Sequence, residues 1–98
     1  MGRSAARLRA EMTHYTVVFS RAAQRAISQL DSNMQRRVDG AIRVLSIDPY
    51  PPNSRPIKGS NKYRLRAGDY RIVYEVQHNV LTILIFDIGH RRDIYRNI

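Results

Sequence analysis

Lys62-Tyr63-Arg64-Leu65-Arg66-Ala67-Gly68-Asp69-Tyr70-Arg71-Ile72-Val73-Tyr74-Glu75-Val76 decides how this chain folds. Apolar and aromatic residues alternate with charged ones on both sides of Ala67-Gly68. That pattern predicts a short strand over 63–66, a tight turn, and a longer strand over 70–76. Strand side chains alternate between faces, so Lys62, Arg64 and Arg66 share one face. On the second strand Tyr70, Ile72, Tyr74 and Val76 form a core face. Arg71, Val73 and Glu75 form the other, which includes the basic surface. Three aligned cations repel one another, which a sheet tolerates when the face meets an anion; the competing reading is a solvated edge that uses charge to block aggregation. Arg71 with Glu75 likewise reads either as part of an anion site or as a same-face ion pair.

Working outward, Gln77-His78-Asn79 turns the chain into Val80–Ile88, apolar on both faces and expected to be a central strand covered on both sides. Gly89 is expected to end it, so that His90, Arg91, Arg92, Asp93 and Tyr95 emerge at a sheet end. Toward the N-terminus, 48–56 contains Pro49, Pro51, Pro52 and Pro56, a density that predicts a loop with no regular element. Before it lie two helical patterns. Ala23, Ala26, Ile27 and Leu30 follow the capping residue Ser20, with Arg21 and Arg25 on the opposite face. Met34, Val38, Ala41, Ile42 and Leu45 follow the break at Asp31-Ser32-Asn33, with Arg36, Arg37, Asp39 and Arg43 facing water. A helical hairpin with apolar faces needs a sheet to cover. Tyr15–Phe19 reads as a further strand that must join that sheet, giving the order β-α-α-β-β-β.

A chain of 98 residues is one domain. The patterned sequence spans 13–98, and 1–12 reads as a disordered leader or tag, with Met12 a candidate initiator. The absence of cysteine excludes disulfides, thiolate metal sites and cysteine nucleophiles, and suits a cytoplasmic location. No apolar run is long enough to span a bilayer, and no signal peptide or membrane partner is expected. The net charge of +9 comes from 17 basic residues, of which only Lys58 and Lys62 are lysines. Guanidinium forks bind phosphate oxygens in pairs, so nucleic acid is the expected partner. There is no phosphate-binding glycine loop, Gly-x-Ser-x-Gly elbow, zinc spacing or carboxylate cluster for Mg²⁺, so neither cofactor nor metal is expected. A nuclease built this way needs RNA, whose 2′-hydroxyl is the internal nucleophile. Arginine and lysine supply the electrostatics, and His90, Tyr95, Lys62 and Glu75 are the candidates for proton transfer. Tyr95 reads equally as a base-stacking or a sheet-packing residue.

The stretch 62–76, together with Ile-Gly-His-Arg-Arg-Asp-Ile-Tyr-Arg at 88–96 and Pro56-Ile57-Lys58-Gly59, resembles the signature of the RelE/ParE toxin superfamily. The resemblance extends from Tyr15 to Arg96. It implies an α+β, microbial ribonuclease-like fold, with two helices packed on a twisted, mainly antiparallel four-stranded sheet. It implies a RelE-type mRNA interferase, which cuts the codon in the ribosomal A site, leaves a 2′,3′-cyclic phosphate and inhibits translation. On that implication Lys62, Arg64, Arg71, His90, Arg91 and Tyr95 are catalytic. Arg36, Arg37, Arg43, Arg55, Lys58, Arg66 and Arg92 complete the RNA-binding surface. Arg64 stands where a lysine is common, and its high pKa makes it a poor proton donor or base. The resemblance also implies a RelB-like antitoxin partner, with operator DNA bound only through it. The alternative within the superfamily is a ParE-type inhibitor of DNA gyrase, which cleaves nothing.

Overall fold

A computed structural model describes residues 14–90, so Arg91, Arg92, Tyr95 and the leader expected over 1–12 lie outside the described residues. The elements run β1 (Thr16–Phe19), α1 (Arg21–Ser28), α2 (Ser32–Ile47), β2 (Ser54–Pro56), β3 (Tyr63–Ala67), β4 (Tyr70–Gln77) and β5 (Thr82–His90). A single 3₁₀ turn, His78–Val80, joins the last two strands. The strands form one sheet in the order β1-β5-β4-β3-β2, with β1 parallel to β5 and the other pairs antiparallel.

Local chemistry accounts for most boundaries. Ser20 caps α1 by accepting from Ala23 N at 3.0 Å, and Asp31 caps α2 by accepting from Met34 N at 2.8 Å. The β3–β4 hairpin closes on Gly68 and Asp69, because Ala67 still pairs with Tyr70. Gly68, at φ +62°, takes the first central position of a two-residue turn, where an L side chain is disfavoured.

Two expectations require correction. The sheet has five strands, because Ser54–Pro56 pairs with Tyr63–Leu65 inside the proline-rich segment that had read as pure loop. Proline is tolerated there since β2 is an edge strand, whose outward side needs no donor. Strand β5 also begins later and runs further than expected, to His90, with Gly89 paired to Arg71 rather than ending the strand.

Both helices pack on one face of the sheet. Ala23, Val38, Ile42 and Leu45 meet Leu65, Ala67, Ile72, Tyr74, Ile83, Ile85 and Ile88 in a single buried cluster. On the opposite face Leu84 and Phe86 are only half-buried, so among the described residues β5 is covered by helices on one side alone. Its alternation breaks at a bulge: Val73 pairs with Asp87 but Tyr74 pairs with Ile85, leaving Phe86 as the extra residue. Before the bulge the odd-numbered Ile83 and Ile85 face the helices; after it the even-numbered Ile88 does. Ser20 holds this irregularity. Its hydroxyl donates to the Phe86 carbonyl, and its backbone N–H donates to the Ile85 carbonyl at 2.9 Å.

Tyr74 anchors the other side of the core. It is fully buried, and its hydroxyl donates to the Pro49 carbonyl at 2.6 Å, tying the proline loop to the sheet. The Tyr15 and Tyr50 hydroxyls lie 2.9 and 2.7 Å from the two ring nitrogens of His78, linking β1 and the same loop to the β4–β5 turn. No helix among the described residues is long and apolar enough to cross a membrane.

Two stability predictions follow from these contacts. Ser20→Ala removes a helix cap and the partner of a bulge carbonyl, and urea unfolding should show a loss of about 1.5–3 kcal/mol. Tyr74→Phe should cost about 1 kcal/mol at neutral pH. Burial pushes the Tyr74 phenol up to about 12. The hydroxyl's protonated form is therefore favoured in the fold: its contribution is complete below pH ~10 and is lost as pH rises through the folded value. Alkaline unfolding midpoints should fall through that window in the native chain, and less steeply in Tyr74→Phe.

Candidate nucleic-acid interface

The helix-free face carries the basic residues because β3 and β4 put their odd and even positions on opposite sides. Tyr63, Leu65 and Ala67 turn inward to the helices, which leaves Lys62, Arg64 and Arg66 on the other face. Register then aligns the cations across strands: Arg55 pairs with Arg64, and Arg66 pairs with Arg71. Arg55, Arg64, Arg66 and Arg71 line a single cleft of about 420 Å³, completed by Asn53. Like charges at this spacing repel, and the arrangement gains favourable energy when an anion enters. No group of three or more His, Asp or Glu residues able to hold a metal ion stands together among the described residues.

The cleft's edges are fixed by ordinary contacts. Arg55 Nη1 donates to the carbonyls of Pro52 and Ser54, both at 2.8 Å. Arg71 Nη1 donates to the Tyr70 carbonyl at 3.2 Å. Asn53 clamps the base of β2 to β3 twice: its Nδ2 donates to the Arg66 carbonyl at 2.8 Å, and its own carbonyl accepts from Arg66 N at 3.3 Å. Lys62 lies on the same face, with Nζ 4.7 Å from the centre of the Phe86 ring. A cation–π contact of this kind is worth about 0.5–1 kcal/mol at a partly exposed site and holds the ammonium near the sheet. Lys62 and Glu75 stand one step beyond the last registered pair, Tyr63 with Tyr74. Gln77 Nε2 donates to Glu75 Oε2 at 3.5 Å.

The residues expected in the site divide into four groups. Lys62, Arg64, Arg66, Arg71 and Arg55 share the helix-free face. His90 does not join them. It pairs with Tyr70, on the helix side of the sheet, and their rings meet edge to face with centroids 5.8 Å apart. Unbroken alternation from Thr82, Leu84 and Phe86 puts His90 on the basic face; the bulge reverses the parity and turns it to the other side. Arg36, Arg37 and Arg43 are exposed on α2, across the sheet from the cleft, and Lys58 is exposed in the loop before β3. Arg37 reaches the hairpin turn, where its Nη1 lies 3.2 Å from the position a Cβ on residue 68 takes. Arg91, Arg92 and Tyr95 fall outside the described residues. Asn53 is the lining residue that the sequence did not single out. Exposed and set within a proline-rich stretch, it carried no signal beyond its neighbour Ser54, whose strand character was itself hidden.

Comparison with known proteins bears on this geometry. A family model described as the ParE toxin of the type II toxin-antitoxin system parDE matches residues 6–95. Toxin RelG of Mycobacterium tuberculosis is 33% identical over 86 residues, covering 84% of this chain and 97% of that protein. The toxin-antitoxin complex RelBE2 of Mycobacterium tuberculosis contains a chain that superposes with a TM-score of 0.70 at 27% identity, covering 80% of this chain and 99% of that one. A chain of the archaeal RelE-RelB complex from Pyrococcus horikoshii superposes with a TM-score of 0.73 at 26% identity, covering 82% and 98% respectively. The expected α+β architecture is therefore that of known RelE toxins, with β2 as a fifth strand. The chain belongs to the ParE toxin family of type II toxin-antitoxin systems, and it is RelE-like in both sequence and fold.

Proposed function

We propose that this toxin is a metal-independent endoribonuclease that cuts mRNA in the ribosomal A site and so inhibits translation. The observation that carries the reading is the convergence of Arg55, Arg64, Arg66 and Arg71 on one cleft of the helix-free sheet face. A cleft of guanidinium groups is suited to phosphodiester chemistry, because charge accumulates on the phosphorane oxygens as the 2′-hydroxyl attacks. Arg64 and Arg71 are the half-buried members, and a charge kept from bulk water acts more strongly on that developing charge. Arg55 and Arg66, more exposed, position the strand through its flanking phosphates.

Proton transfer needs other groups, since arginine stays charged. On the cleft face Lys62 and Glu75 are the described candidates. Lys62 lies two residues from Arg64 along the same strand face, about 7 Å away. The resemblance of 88–96 to the superfamily adds Arg91 at the scissile phosphate and Tyr95 as the base-stacking residue. His90, on the helix side beside Tyr70, is assigned to packing instead. The related toxins whose structures are named for their complexes are held by RelB proteins, and a RelB-like antitoxin is the corresponding partner here. A basic toxin and an acidic partner associate faster through long-range attraction.

A second reading is a ParE-type gyrase inhibitor, favoured by the match of residues 6–95 to the ParE toxin family. Such an inhibitor binds a protein and makes no chemical demand for four arginines lining one cleft. Primer extension on mRNA with purified ribosomes separates the two. New ribosome-dependent 5′ ends within codons are expected, whereas their absence together with inhibited gyrase supercoiling identifies the alternative.

Three results are expected in single-turnover cleavage. Arg71→Ala should lower the rate about 10²–10³-fold, the scale of losing one group that stabilises transition-state charge, with unfolding midpoints unchanged. Lys62→Ala should lower it by at least ~10²-fold, whereas His90→Gln should stay within about threefold, less than 1 kcal/mol.

A further inference from the structure

We propose that the cleft holds two successive phosphates, and that Asn53 is the positioning residue that creates the second subsite. The inference rests on the RNA-binding reading above and goes beyond it in assigning Asn53 and the proline loop a role.

The geometry points to two subsites through pairing. Arg55 with Arg64 and Arg66 with Arg71 are cross-strand partners. Partners in adjacent strands stand about 5 Å apart, and Arg64 and Arg66 are two residues, about 7 Å, apart along β3. The four guanidinium groups therefore form two pairs, each suited to the oxygens of one phosphate. The separation of the pairs is of the order of that between neighbouring phosphates of an extended single strand. Two phosphates, one at each pair, engage all four groups together.

Three of the four arginines sit on β3 and β4, which belong to the core sheet. Arg55 alone depends on β2, a three-residue edge strand that follows a proline loop. That edge is held by the two Asn53–Arg66 hydrogen bonds, by Ser54 Oγ donating to the Pro51 carbonyl at 2.7 Å, and by Tyr74 beneath Pro49. Both hydrogens of Arg55 Nη1 are used on the carbonyls of Pro52 and Ser54. Among the described residues the edge formed by Nε and Nη2 makes no hydrogen bond and can take an anion, and Nη1 is already held, so binding costs less further side-chain entropy. Asn53 also lines the cleft, at the β2 edge opposite Arg66. Its replacement by alanine removes the side-chain half of that clamp and loosens β2 against β3 where the second pair is assembled, while Arg66 and Arg71 keep their places in the hairpin.

The test uses the full chain and fluorescent 2′-deoxy oligonucleotides, which bind but are not cut, carrying one, two or three internal phosphates. In the native protein, affinity at low salt should rise at least tenfold from one phosphate to two, and less from two to three. Asn53→Ala and Arg55→Ala should each abolish most of the first step while preserving the one-phosphate affinity. Each should also lower the slope of log affinity against log salt by about 0.7, the contribution of one single-strand phosphate. Arg55 is exposed, so its replacement leaves the fold intact and guards against a variant that fails to fold. Unchanged steps and slopes in both variants would overturn the second subsite while leaving the RNA reading standing. A native protein that binds no oligonucleotide at all would overturn both.

Discussion

The bulge in β5 is the constraint on which the rest of the structure depends. One extra residue, Phe86, changes which side chains face the helices, and it lets Ile83, Ile85 and Ile88 all enter the same core. An unbroken strand puts Ile88 on the opposite face and leaves the core short at that end. The extra residue also frees a carbonyl from the ladder, and a buried carbonyl without a partner costs about 1–3 kcal/mol. Ser20 supplies the partner with the same hydroxyl that caps α1. The first helix and the central irregularity of the sheet are thus fixed by one side chain.

This arrangement divides the sheet into two surfaces of different chemistry. The helix side is apolar and closed. The other side is built from strand positions that the core does not need, so it is free to carry charge. Lys62 is held there by the ring of Phe86, the bulge residue itself. The cleft and the core are two consequences of the same strand registers, and neither can be shifted by one residue without exchanging arginines for core residues.

The proline loop closes the cleft at its outer edge. Its rigidity comes from tertiary contacts as well as from proline: Tyr74 fixes Pro49 from inside the core, Ser54 bonds back to Pro51, and Asn53 bonds across to Arg66. A chain this basic gains little from crowding arginines unless their positions are set in advance, because each flexible guanidinium pays its own entropy on binding. The short edge strand supplies that setting for Arg55.

Taken alone, the sequence determined the α+β class, both helices with their caps, the hairpin over 62–76 and the shared face of Lys62, Arg64 and Arg66. These are local properties, written in periodicity and in the residues that start and stop each element. The resemblance of 62–76 and 88–96 to RelE/ParE toxins was legible for the same reason. Only the tertiary structure decided the side on which His90 lies, the pairing of Ser54–Pro56 and the place of Asn53. A bulge leaves no mark on the alternation of Thr82–Ile88 until strand β4 shows which residue is left unpaired. An edge strand of three residues is stabilised by its neighbour β3 and not by its own composition. Partners distant in the chain made those choices, through hydrogen bonds and burial that no local pattern encodes.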